Sequence, residues 1–143
     1  MTDNLLIPKW FKVITSLAIV WNLMGVMAFF MGPAMNDSAL SALTETERNL
    51  YLATPFWATA AFAIAVIVGF LGSIALLLRK LICKLLLVIS LAAIIVQMFH
   101  AYFISNSWQV LGPEGAVLPI MIIIFAVYLV NSSFQAQHKG WLN

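Results

Sequence analysis

Four long apolar runs, at about residues 13–32, 55–78, 81–105 and 116–134, occupy most of this 143-residue chain. About 20 mostly apolar residues, rising about 1.5 Å each, make a helix long enough to cross the hydrocarbon of a bilayer. Composition excludes a water-soluble fold: 64% of the residues are hydrophobic and 8% charged, with mean hydropathy +1.04, where soluble domains carry roughly a quarter charged residues. In hydrocarbon the backbone must satisfy its own hydrogen bonds, so each run is expected to be helical. The predicted fold is an all-α membrane protein: one antiparallel four-helix transmembrane bundle over residues 1–143, with external loops at 33–54 and 106–115.

Charge orients the bundle. With four crossings both termini share a side, and that side collects Lys9, Lys12, Arg79, Lys80, Lys84 and Lys139, leaving Arg48 alone on the other. Lys and Arg in short loops are retained in the cytoplasm, so the termini are expected inside. Acidic residues lean the other way, with Asp37, Glu45, Glu47 and Glu114 outside and Asp3 inside. Trp10 and Trp141 fall at the inner interface, Trp57, Tyr102 and Trp108 at the outer one, and Trp21 at mid-depth. Lys9 and Lys12 before the first run resemble the basic start of a secretory signal. That run is too long for one, and Gly32-Pro33-Ala34-Met35 is a poor cleavage site, so a retained helix is expected.

Local signals punctuate the runs. Thr44 followed by Glu47 is a capping-box pattern, and Leu43, Leu50 and Tyr51 share a face, which predicts a short helix lying on the outer membrane surface. It is read as a spacer packed on the bundle or as a lid over an outward cavity. Thr54-Pro55 suits the start of the second span, Thr as a cap and Pro in the first turn. The turn near Arg79-Lys80 is so short that spans two and three must be antiparallel neighbours. On the second span Ala61, Ala65, Gly69 and Ser73 recur every fourth residue, a small-residue face for close helix packing within the bundle or across a dimer.

Polar groups inside the membrane are the usual pointers to function. Asn22, Thr59, Gln97 and His100 are the candidates for one cluster open to the outside, since amides and imidazole both donate and accept hydrogen bonds. The alternative is plain packing, with Asn22 bonded to Gln97. Tyr128 and Asn131 form a separate set on the last span. Trp21, Phe29, Phe62 and Phe99 are candidates to line a groove for a lipid or quinone. Cys83, the single cysteine, cannot form an intrachain disulfide and is read as a passive thiol despite its basic neighbours. His100 and His138 are predicted on different sides, so no metal site is expected. No embedded carboxylate, glycine-rich phosphate loop or activated nucleophile is evident. The expectation is therefore a non-enzyme without a cofactor. The inner basic residues suit anionic lipid rather than nucleic acid.

Pro8-Lys9-Trp10-Phe11, Trp21-Asn22-Leu23-Met24-Gly25-Val26-Met27, the Tyr51–Trp57 segment, the Ala60–Lys80 run ending Leu-Leu-Leu-Arg-Lys, and Val96-Gln97-Met98 together resemble a family of small bacterial inner-membrane proteins with four helices, often labelled sugar transporters. The resemblance covers about the first 100 residues. It implies an inner-membrane location and associates Trp21, Asn22, Gly25, Thr54, Pro55, Trp57 and Gln97 with the family's role. Three functions fit the residues. The leading one is an accessory or structural subunit that self-associates or joins a larger membrane complex. The others are a dimeric small-solute carrier or channel, and a lipid- or quinone-binding bundle.

Overall fold

The computed structural model describes residues 6–143; Asp3, assigned above to the inner side, lies outside them. In chain order the elements are α1 (Lys9–Met31), α2 (Asp37–Ser41), α3 (Glu45–Leu52), α4 (Phe56–Leu77), α5 (Ile82–Phe99), a π-helical turn (His100–Ile104), α6 (Ser107–Leu111), a 3-10 turn (Pro113–Ala116) and α7 (Val117–His138). Helices α1, α4, α5 with its π continuation, and α7 are each long and apolar enough to cross a membrane. The protein is a multi-pass membrane protein with an antiparallel four-helix bundle.

The order of packing follows residue size. Helix α4 sits between α1 and α5, and α5 packs in turn on α7. What lets α4 take two neighbours is its small face: Ala61, Ala65, Gly69 and Ser73 are all buried, so the stripe is consumed inside the bundle. A methyl group on Gly72 would stand 3.0 Å from Leu87 Cδ2 and 3.2 Å from Leu86 Cβ, which shows how closely α5 approaches. Without a hydrophobic driving force in lipid, such close contact is a main source of helix association.

The largest buried cluster lies at the basic end, where Phe11, Leu76, Cys83, Leu87, Leu129, Ala136 and Trp141 meet. Gly140, at φ 70°, turns the chain after α7 so that its last residues cross the α4–α5 turn. There the Asn143 amide donates to the Arg79 carbonyl at 2.6 Å and the Leu81 amide to the Asn143 carbonyl at 2.9 Å. Arg79 Nε donates to the Trp141 carbonyl at 2.6 Å. Arg79 holds φ 64° to do this, a left-handed conformation that costs a residue with a Cβ about 1–2 kcal/mol. Trp141, placed at the interface by sequence, is buried against Phe11 with ring centroids 5.2 Å apart. Cys83 is fully buried in the same cluster.

At the opposite end the short helices are held by their caps. Thr44 and Glu47 form the predicted capping box at the start of α3. Asn36 caps α2 by accepting from the amides of Ser38 and Ala39. Arg48 donates to the carbonyls of Leu40, Ser41 and Leu43, closing the C-terminal end of α2. Thr54 does not cap α4: its hydroxyl donates to the Leu50 carbonyl at 2.9 Å and so closes α3, leaving Pro55 as the N-cap residue.

Candidate functional site

The polar side chains fall into two groups separated along α4. The first is at the helix crossing. Asn22 on α1 spends both amide hydrogens, one on the Ala18 carbonyl of its own helix (2.9 Å) and one on Ser73 Oγ of α4 (3.0 Å). Ser73 passes its own hydrogen to the Gly69 carbonyl at 2.9 Å. From the other flank, Ser90 on α5 donates to the Ala65 carbonyl of α4 at 2.6 Å. Gly69 is the hub: a Cβ there would lie 2.6 Å from Asn22 Oδ1 and 2.8 Å from Ser90 Oγ. Three helices are thus pinned around one missing side chain. Interhelical bonds of this kind contribute on average about 0.6 kcal/mol each.

The second group lies near the loop end, roughly 15 Å further along α4, taking ten residues at about 1.5 Å each. His100 is buried at the first position of the π turn, its ring edge-on to Trp57 with centroids 5.0 Å apart. Gln97 is half-buried one turn below it on α5, and Thr59 half-buried on α4 just past Trp57. No side-chain hydrogen bond among the described residues engages Thr59 or Gln97, although every fully buried side-chain nitrogen or oxygen among those residues has a partner. Asn22 therefore stands apart from Thr59, Gln97 and His100. Counting along the chain puts Asn22 just past mid-depth and Gln97 in the outer half, close enough to be grouped, but it does not show how neighbouring helices are offset along one another, and the crossing sets Asn22 beside Ser73 rather than beside Thr59.

The four aromatic candidates also separate. Phe29 and Phe62 pack edge-to-face between α1 and α4 at 5.4 Å. Trp21 packs on Phe125 of α7 at 5.6 Å. Phe99 is exposed and stacks on Phe103 along its own helix at 5.2 Å. These are three separate contacts. Two open surface grooves, of about 340 and 550 Å³, lie instead beside Lys12–Val20 and between α5 and the end of α7.

Two features carry no signal in hydropathy. Ser90 is one serine in an apolar helix, and only its spacing opposite the small face of α4 marks it. The π turn that brings His100 inward leaves no trace in composition. Among the described residues no three His, Cys, Asp or Glu side chains group together. Outside the membrane spans, Tyr51 on α3 has its phenol pKa raised above the usual 10.0, by desolvation first and by the Glu47 carboxylate second. Comparison of the chain with protein families, with curated proteins and with solved structures gives no match.

Proposed function

We propose that this chain is a non-catalytic structural or accessory subunit of a bacterial inner membrane, one that self-associates or joins a larger membrane assembly. The observation that carries the reading is the use made of Asn22. Both of its amide hydrogens, together with the hydroxyls of Ser73 and Ser90, are spent on holding α1, α4 and α5 together. A solute pathway at that depth needs those donors free, and intramembrane donors spent on neighbouring helices serve packing. The accompanying orientation, termini in the cytoplasm, rests on the basic end formed by Lys9, Lys12, Arg79, Lys80, Lys84 and Lys139.

A second reading, a carrier for hydroxyl-bearing solutes such as sugars, is favoured by the Thr59, Gln97 and His100 group beside Trp57. Its half-buried amide and hydroxyl have no internal partner among the described residues. It also agrees with the family resemblance. One experiment separates the two readings: uptake of radiolabelled monosaccharides into vesicles reconstituted with the purified protein. The structural reading expects rates equal to those of protein-free vesicles. Saturable uptake removed by Gln97→Leu establishes the carrier and overturns the structural role.

A further inference from the structure

The groove between α5 and the end of α7 has two walls. Ile82, Leu85 and Val88 of α5 face Phe134 and Gln137 of α7 across about 550 Å³, a volume within the roughly 300–1,000 Å³ of small-molecule sites. The chain's last residues fix its basic end, where the Asn143 carbonyl accepts from the Leu81 amide at the start of α5. The smaller groove beside α1 is built differently. Lys12, Val13, Ser16, Leu17 and Val20 all come from one helix, so it is a furrow between neighbouring side chains with no second wall.

Half-buried Lys84 stands at the mouth of the two-walled groove. Its ammonium donates to Gln137 Oε1 and lies 5.3 Å from the centre of the Phe134 ring, so both of its neighbours are neutral. The acidic side chains among the described residues, Asp37, Glu45, Glu47 and Glu114, all sit in the loops at the other end of the bundle. No described carboxylate side chain therefore balances Lys84, Lys80 and Lys139 at this end. Gln137 adds unused donors. Lysine can only donate, so the Gln137 oxygen is the atom it engages, which leaves the Nε2 hydrogens turned elsewhere. Val88, about 6 Å further along α5, carries the apolar wall from this charge toward the middle of the span.

We infer that this groove binds one anionic phospholipid from the leaflet at the basic end, its phosphodiester held by Lys84 Nζ and Gln137 Nε2 and an acyl chain laid along Leu85, Val88 and Phe134. Charge complementarity selects that occupant. The phosphate supplies the missing countercharge through charge-assisted hydrogen bonds, and the acyl chain covers the apolar walls. Free phosphate would meet the cation and leave those walls uncovered. A zwitterionic lipid would cover the walls but bring its own cation to Lys84. Lysines near a membrane surface attract anionic lipid in general; the second wall and the joined Lys84–Gln137 pair give this lipid a fixed place. It would sit there whether the chain serves as a subunit or as a carrier.

The test is native mass spectrometry of the full-length chain, stripped of lipid in detergent and titrated with phosphatidylglycerol or with phosphatidylcholine of the same acyl chains. The first phosphatidylglycerol is expected to bind about tenfold more tightly than phosphatidylcholine, and Lys84→Gln to remove that advantage. Lys84→Arg should keep it. Leu85→Trp fills the groove without changing charge and should also weaken binding about tenfold, the loss of the covered apolar wall. Lys12→Gln, in the one-walled furrow on α1, should change it less than about twofold. Equal affinity for the two lipids overturns the inference. So does an equal loss from Lys84→Gln and Lys12→Gln, which would mark diffuse attraction to a basic surface. Displacement of the lipid by millimolar inorganic phosphate, with Leu85→Trp without effect, would mark a simple anion site and overturns it as well.

Discussion

Substituting Gly69 with alanine adds one methyl group where the bundle has no room for it. The new Cβ would approach Asn22 Oδ1 to 2.6 Å and Ser90 Oγ to 2.8 Å. Neither atom is free to swing away, because the Asn22 amide is held by Ala18 and Ser73 and the Ser90 hydroxyl by Ala65. Either those bonds break, at an average of about 0.6 kcal/mol each, or the helices separate, at the roughly 1–3 kcal/mol typical of overpacking. Alanine returns about 1 kcal/mol of helix propensity. A net loss of about 1 kcal/mol is expected, the middle of the overpacking range less the propensity gain, measured by reversible unfolding of the micellar protein with SDS and followed by tryptophan fluorescence. Because Asn22 is the obstruction, Asn22→Ala in the Gly69→Ala background should recover about 1 kcal/mol relative to additivity. If Gly69→Ala equals or exceeds the parent in stability, the pinned crossing is not what holds α1, α4 and α5 together.

The remaining expectations concern the two ends of the bundle. Arg79→Ala removes a charge-assisted bond to the Trp141 carbonyl and should cost about 1–2 kcal/mol in the same unfolding assay. Arg79→Gly should cost about 1 kcal/mol less, because glycine accepts the left-handed backbone freely. Tyr51 should ionise above pH 10 in an ultraviolet difference titration, and Glu47→Gln should lower its midpoint only part of the way, since desolvation is the larger cause. The folded state binds that phenolic proton more tightly than the unfolded state does. Its contribution to stability is therefore complete below about pH 10 and lost as pH rises through the folded value. Cys83 should stay unmodified by a membrane-permeant maleimide in the folded protein and react fully once SDS unfolds it.

The crossings were legible because hydropathy over about 20 residues is a strong, redundant signal. The α3 capping box was legible because both partners lie within one turn, Thr44 and Glu47. The small face of α4 was legible as a period, yet its use was not: four-residue spacing states which residues share a face, not whether that face meets α1, α5 or another copy. The same gap explains Asn22. Its depth follows from counting along α1, whereas its bond to Ser73 depends on rotation and on a serine indistinguishable in composition from any other. The tail is the extreme case. Asn143, Arg79 and Leu81 are joined by backbone groups across a turn, and backbone pairing between distant residues has no side-chain signature. Helix α2 was missed although Asn36 is a strong N-cap residue, because a five-residue helix has too little periodicity to register.

The role proposed for this bundle is as part of an assembly rather than as a lone catalyst or carrier. Native mass spectrometry of the protein extracted gently from its own membranes would reveal such an assembly. A stoichiometric complex is predicted, either two copies of the chain or the chain with a foreign membrane subunit. A single chain at every detergent concentration, with no copurifying subunit, would contradict it.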